Sequence, residues 1–302
     1  MTRARRSASP LAAIAVALAV SAAAAIRVPA ASPEGAAGVP IDPSFAADPV
    51  WDDGLAEVAT YAAQRTIYGA ARDHELTAIL VKEDFADALH VKADPPYAGR
   101  VLTTVLKLNL VESVPTENYT YHFLTSVHVA RADVTRLVKA TAGIQEWCGN
   151  TFKEIVTWGG APRLHYHSYF DGQGDGEQAV DLGPGALLDE QLLVVARAAS
   201  LAPGAPARLR VLDPITSGGA RPLASHDATL SAEGDEPITV PAGTFRARRL
   251  VLREGSRTLA TYWVEASGPR ALVRMESSDG RRLVLKGRVR RDYWSRPPVT
   301  DR

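Results

Sequence analysis

Cys148 is the one thiol of the chain. It follows Glu146 and Trp147, and His165 and His167 lie downstream, so the residue types of a Cys–His nucleophile are present. That chemistry needs a thiolate. A neighbouring carboxylate raises a thiol pKa, and Trp147 and Phe152 point to burial, so a packed, inert cysteine is expected, with catalysis as the alternative. His165-Tyr166-His167 puts two imidazoles on one strand face, a spacing that suits zinc or copper. A metal site needs a third and usually a fourth ligand, and none is near in sequence. The bland reading of these histidines is a polar strand face beside Tyr166 and Phe170. Asp171-Gly172-Gln173-Gly174-Asp175-Gly176-Glu177 starts like a calcium loop, but Leu182 stands where the bidentate glutamate belongs, which leaves an acidic hairpin. Arg282, Lys286, Arg288 and Arg290 fall on one face of the last strand, with Leu283, Leu285 and Val289 on the other. Such a ladder can meet phosphate head groups or an acidic polymer, or it can be a solvated face that discourages edge pairing. The chain has no G-x-S-x-G elbow, no H-E-x-x-H helix and no phosphate-cradling glycine loop.

The elements that carry these residues are mostly strands. Period-two alternation runs from Ala56 to Leu182. Leu76 to Val81, Val101 to Leu110, Thr120 to Val129 and Leu164 to Phe170 are expected strands, with Leu102, Leu106, Leu108 and Leu110 sharing a face. Pro115 is expected to break the chain between Glu112 and Asn118, and Ala132 to Lys139 to form a short helical turn. From Ala186 to Ala199 the apolar residues switch to helical spacing, with Asp189 and Glu190 at the start and Arg197 at the end, as the helix dipole favours. Seven further strand candidates follow, starting at Arg208, Ala228, Pro237, Phe245, Thr258, Ala271 and Arg281. Turns are expected at Val240-Pro241-Ala242-Gly243, Glu254-Gly255-Ser256 and Ser278-Asp279-Gly280. The fold class expected is mainly β: a curved antiparallel sheet, or fused half-barrels, with one packed central helix.

The N-terminus carries Arg3, Arg5 and Arg6, an apolar run from Leu11 to Val20, and small residues to Ala25. That order reads as a secretory signal peptide over 1–25, whose apolar run is short for a membrane span. An exported protein is expected, periplasmic or secreted, with no transmembrane segment after cleavage and no cysteine at the cleavage site to carry a lipid. A flexible linker is expected over 26–48, a β-rich part over 49–185, a helix with an antiparallel meander over 186–294, and a tail over 295–302. The 34 basic and 34 acidic residues balance overall, which argues against nucleic acid as the main partner. From Pro241 onward 15 basic residues face 6 acidic ones, which keeps a local anionic partner open.

Val240-Pro241-Ala242-Gly243-Thr244-Phe245 leading to Arg249-Leu250, Tyr262-Trp263-Val264 before Pro269-Arg270-Ala271-Leu272-Val273-Arg274-Met275, and Leu188-Asp189-Glu190-Gln191-Leu192 upstream form an ordered set. Together with Val105 to Leu110, Thr125-Ser126-Val127 and Gln145 to Gly149, that set resembles an exported bacterial β-rich family of unknown function, whose members sometimes carry a septum formation inhibitor label. Residues for the nucleotide hydrolysis behind that label are not present. The architecture is also distantly similar to periplasmic lipoprotein carriers, in which a curved sheet wraps a helix and leaves a greasy cleft. The resemblance implies a fold and no catalytic residues. The function expected is a non-enzymatic envelope protein that binds lipid or another apolar ligand in a β cleft lined by Trp147, Trp158, Tyr166 and Trp263, without a cofactor. Two alternatives stand beside it: a hydrolase or metalloenzyme using Cys148, His165 or His167, and a structural partner in an envelope complex.

Overall fold

The computed structural model describes residues 38–295. The expected signal peptide, the first part of the linker and the tail beyond residue 295 lie outside the described residues.

The chain enters through a short helix, α1 (Pro43–Ala47), and a 3-10 turn (Pro49–Asp52). Asp42 and Asp48 cap them, each accepting a backbone N–H at 2.9 Å. This strap was expected to be loose linker up to residue 48, yet Val39 and Phe45 are buried in it. Apolar side chains spaced among Pro and Ala are enough to seat it, and composition alone hid that.

The strands follow as β1 (Ala56–Ile67), β2 (Ala70–Ala86), β3 (Val91–Lys92), β4 (Leu102–Pro115), β5 (Thr120–Ala130), β6 (Asp133–Glu146), β7 (Gly149–Val156), β8 (Arg163–Ser168), β9 (Asp175–Ala179) and β10 (Ala186–Leu188). After a 3-10 turn (Asp189–Gln191) comes α2 (Leu192–Ala198). Then come β11 (Ala207–Leu212), β12 (Ser225–Val240), β13 (Gly243–Glu254), β14 (Arg257–Glu265), β15 (Leu272–Ser277) and β16 (Arg282–Arg291). Among the described residues all sixteen strands form one sheet. Its order is β10-β11-β12-β13-β14-β15-β16-β1-β2-β4-β5-β6-β7-β8-β9, with β3 beside β2. Every pairing is antiparallel except β10 with β11. The fold is thus mainly β, one curved antiparallel sheet around a central helix.

Helix α2 touches both β6 and β14, which are far apart in the sheet order, so the sheet curls around it. The helix is buried nearly all round, with Leu192, Val194, Val195, Ala196 and Ala198 at 2% exposure or less. One apolar cluster joins these residues to inward side chains from β1 through β16. Burying each such aliphatic side chain is worth about 1.5–3 kcal/mol.

Three local expectations change. The helix read over Ala186 to Ala199 begins only at Leu192, because Leu187 and Leu188 form the parallel rung with Val211 and Leu212. Ala132 to Lys139 is not helical but lies mostly in β6. A bulge there offsets the register between His128/Lys139, Val129/Leu137 and Ala130/Asp133, so buried Val134, Leu137 and Val138 acquire helix-like spacing. Pro115 ends β4 as expected, but the strand runs on past Leu110 to reach it. It occupies the last rung, opposite Thr120, where a missing N–H is tolerated. One hairpin escaped the sequence reading: Tyr68 and Gly69 link β1 to β2 with both φ values positive, 52° and 73°, as a type I′ turn requires.

Candidate functional site

The antiparallel order sends alternate connections to opposite ends of the sheet. The strap covers one end. There Asp42 N–H donates to Ala198 O at 2.8 Å, Ser200 N–H donates to Pro40 O at 2.8 Å, and Asp42 pairs with Arg270. Trp51, 2% exposed, donates its indole N–H to Phe45 O at 2.6 Å. Arg197 of α2 reaches Glu57 of β1 through two bonds of 2.8 and 3.1 Å, with both side chains 6% exposed. The Arg131 guanidinium holds Asp52 through two bonds of 2.7 Å and Ala46 O at 2.8 Å.

Three cavities border the strap: one of about 180 Å³ at Asp42, Arg197 and Arg270, and two larger ones. The larger of these two, about 870 Å³, is lined mainly by carbon from Ile41, Pro43, Ala46, Ala130 and Val134, together with Thr103, Thr104, Arg131 and the carboxylate of Asp133. The other, about 380 Å³, lies between Val39, Leu137, Pro162 and Leu187. Arg136 lines both. It is exposed and, among the described residues, has no ion-pair partner. This end therefore offers an apolar groove with one uncommitted cation.

The other end carries the hairpin tips. Tyr119, Tyr121 and Phe123 stack in succession along β5 and its turn, at 5.4 and 6.0 Å between centroids. Trp147 stacks on Tyr119 at 5.5 Å. The Tyr119 hydroxyl lies 3.1 Å from Cys148 Sγ and donates to Glu146 Oε2 at 2.9 Å. The Cys148 contact, and with it Glu146 and the Tyr68 hydroxyl, pushes the Tyr119 phenol well above its ordinary range.

Beneath the aromatic stack lies a layer of inward charges. Arg65 of β1 sits 4.0 Å over the Phe123 ring and donates to Glu112 Oε1 of β4 at 3.1 Å. Glu112 Oε2 is 2.7 Å from the His74 ring. Burial works against the Glu112 carboxylate, but the His74 bond and the Arg65 charge outweigh it and hold the pKa below the ordinary value. The β11–β12 connection drops into this layer as a plug. Thr216 donates both its N–H and its hydroxyl to Glu190 Oε1, at 2.9 and 2.7 Å. Lys153 of β7, 2% exposed, donates to Ile215 O, Ser217 O and Ser217 Oγ at 3.0, 3.0 and 2.6 Å. Burial pulls the Lys153 ammonium down to about 8, with the Glu190 charge partly opposing.

Glu190 is 1% exposed, and burial raises its carboxyl pKa, with Asp189 adding to the rise. A carboxyl whose folded pKa exceeds the unfolded value stabilises the fold fully below the unfolded value, about 4.3. That contribution fades as pH rises through the folded value. Glu190→Gln keeps the acceptor for Thr216 and removes the titration. Urea unfolding midpoints between about pH 4 and pH 8 should therefore fall less steeply in the variant than in the wild type. Equal slopes would show that Glu190 does not titrate in the fold.

The four aromatic residues expected to line one cleft are dispersed. Trp147 is 81% exposed at the β6–β7 tip. Trp158 lies beyond the far end of β7, stacked on His90 at 3.8 Å. Tyr166 is on β8 against Gly176, and Trp263 is on β14, buried, donating to Glu236 at 2.6 Å. Cys148, expected to be packed, is exposed, because the β6–β7 turn carries it and Phe152 is itself 45% exposed. His165 and His167 face Glu177 and Asp175 on the outer side of β8, at 3.7 and 3.2 Å, and are not joined to Cys148. Among the described residues no group of three or more His, Cys, Asp or Glu is placed to hold a metal ion. On β16, Lys286 pairs with Glu75, Arg288 with Glu265, and Arg290 with Asp53, while Arg282 stays exposed.

Of the charges that organise both ends, the sequence showed Glu190 and Arg197 only as favouring the helix dipole, and Arg65, Glu112 and Lys153 went unread. The signal was parity. The Leu106, Leu108, Leu110 face runs on to Glu112, and Tyr61 and Ala63 share their parity with Arg65. Thr151 and Ile155 likewise flank Lys153 on the buried face of β7. Charged residues on an otherwise apolar strand face mark an interior polar layer.

No protein-family model matches the chain, and no curated protein does. Among solved structures, it is similar to a β-barrel-like protein of the domain of unknown function DUF1849 from Brucella abortus, at 8% identity and a TM-score of 0.42. The similarity covers 78% of this chain and 97% of that one. No described helix is long and apolar enough to cross a membrane.

Proposed function

We propose that the chain is an exported, non-enzymatic envelope protein that binds an anionic amphiphile, such as a lipid or fatty acid, in the groove beside the strap. The observation that carries this reading is the carbon-lined cavity of about 870 Å³ with exposed Arg136 on its wall. Its size falls within the range of sites that take small apolar ligands. The uncommitted guanidinium supplies the polar group that orients them, because arginine matches carboxylate and phosphate geometry. The ladder of Arg282, Lys286, Arg288 and Arg290 supports an anionic surface less well, since three of its members already hold carboxylates of the same chain. The hydrolase reading has weaker support, because Cys148 is engaged with Tyr119 while both histidines point elsewhere.

The test is native mass spectrometry of the protein purified from its own envelope. A bound amphiphile should be present in the wild type. It should be lost in Arg136→Glu, which reverses the charge, and in Ala132→Trp, which fills the groove from an exposed position. Empty wild-type spectra, or identical adducts in all three proteins, would refute the reading.

A further inference from the structure

The plug at the tip end sits in a seat built to read a polypeptide backbone. Three successive carbonyls are all taken by inward cations. Lys153 holds Ile215 O and Ser217 O at 3.0 Å each, and Arg65 Nη2 donates to Thr216 O at 2.7 Å. In between, Glu190 accepts the Thr216 N–H at 2.9 Å. Thr125 of β5 meets the Thr216 hydroxyl at 2.7 Å, and Gln173 of the β8–β9 loop accepts the Ala220 N–H at 2.7 Å. The groups that hold the loop therefore come from β1, β5, β7, the turn before α2 and the β8–β9 loop, while the loop itself contributes mainly backbone.

The match is incomplete. Glu190 Oε2 and Arg65 Nε are both buried and have no hydrogen-bond partner. A buried polar atom without a partner is costly, so the loop satisfies its seat only in part. The loop is also tethered lightly. Its base is closed by Asp213 N–H to Ala224 O at 2.9 Å, and two glycines, Gly218 and Gly219, follow the seated residues. Ile215 is fully buried and Leu223 is half-buried against the core, while the rest of the loop brings little apolar area with it.

We propose that residues 213–224 act as a displaceable pseudo-ligand, and that the seat of Lys153, Arg65, Glu190 and Thr125 binds a polypeptide segment turned as Ile215–Ser217 is, where Ser217 N–H donates to Ile215 O at 2.9 Å, when the loop leaves. Cations that donate to backbone carbonyls, set beside a carboxyl oxygen that accepts a backbone N–H, select a peptide backbone. A simple anion would meet Lys153 and Arg65 but would also face Glu190. The site stands at the opposite end of the sheet from the groove beside the strap, so the two readings are independent.

The experiment uses the full chain and a synthetic peptide copying residues 213–221, acetylated at its start. Ile215→Asp together with Thr216→Pro should unseat the loop, by placing a charge at the buried anchor and removing the N–H that Glu190 accepts. Calorimetry should show the peptide binding the unseated protein at least about tenfold more tightly than the wild type, in which the tethered loop competes. Adding Lys153→Met to the unseated protein should abolish that binding. A folded unseated protein that ignores the peptide, or binding indifferent to Lys153→Met, would overturn the proposal. Should the unseated protein fail to fold, hydrogen exchange on the wild type decides. The Thr216 and Ala220 amides must exchange through an opening that leaves core amides such as Leu250 protected. If they exchange only together with the core, the loop is a fixed part of the fold and the proposal fails.

Discussion

Arg197→Ala should lower the free energy of unfolding by roughly 3–5 kcal/mol, the loss expected when one partner of a buried ion pair is removed. Arg197 carries several loads at once. It holds Glu57 through two bonds, donates to Arg270 O and Pro269 O at 2.8 and 2.9 Å, and lies over the rings of Phe45 and Trp51 at 5.4 and 5.8 Å. It thereby ties α2, β1, the β14–β15 loop and the strap to one point. Truncation leaves the Glu57 carboxylate without its bidentate partner in a site where both side chains are 6% exposed. Arg288, at 3.8 Å, is the remaining cation near it. Urea denaturation measures the change directly. The double variant Arg197→Met with Glu57→Gln should recover part of the loss, because no unpaired charge stays behind. A single-variant loss under about 1 kcal/mol would place the pair among weak surface contacts and contradict its burial.

Arg65→Ala should cost roughly 3 kcal/mol at neutral pH, for the same reason at the opposite end of the sheet. It removes the charge beside Glu112, the cation over Phe123 and the donor to Thr216 O together. Its pH dependence is the sharper test. Glu112 has a folded pKa below its unfolded value, so it contributes stability above the unfolded value, and that contribution is lost as pH falls through the folded one. Without Arg65, His74 remains as the nearest hydrogen-bonded partner of Glu112, so the acid limb of the stability profile should flatten. Denaturation midpoints from about pH 6 down to about pH 3 measure this. An unchanged acid limb in Arg65→Ala would show that His74 alone sets the Glu112 titration.

The sheet was legible in the sequence because alternation is strict wherever one strand face meets the core. Val101 to Leu110 and Thr120 to Val129 show this in β4 and β5. Alternation misleads where a bulge intervenes. Val134, Leu137 and Val138 looked helical for that reason, and a second bulge between Ala232 and Asp235 made β12 read as two strands. The helix was placed correctly but too long, since a helix buried all round and a short buried strand are alike apolar runs, and only the parallel rung to β11 separates them. The proposed sites were hardly legible at all. Aromatic residues drew attention as cleft lining, yet Trp147 faces solvent and Trp263 is packed between Arg249 and Arg274. The residues that do converge, Arg65, Glu112, Lys153 and Glu190, come from distant segments, and their meeting depends on a closure that one-dimensional spacing does not encode.

That closure is made by side chains and loops at one line of the molecule. The two terminal strands, β9 and β10, are not partners in the ladder. Across that line Gln178 of β9 reaches Leu223 O of the β11–β12 connection, and Asp181, just past β9, pairs with Arg210 of β11. Topologically the sheet is a strip and not a hoop. Along that one line the molecule is held by side chains and loop contacts, whereas every neighbouring pair in the strand order is held by ladder rungs.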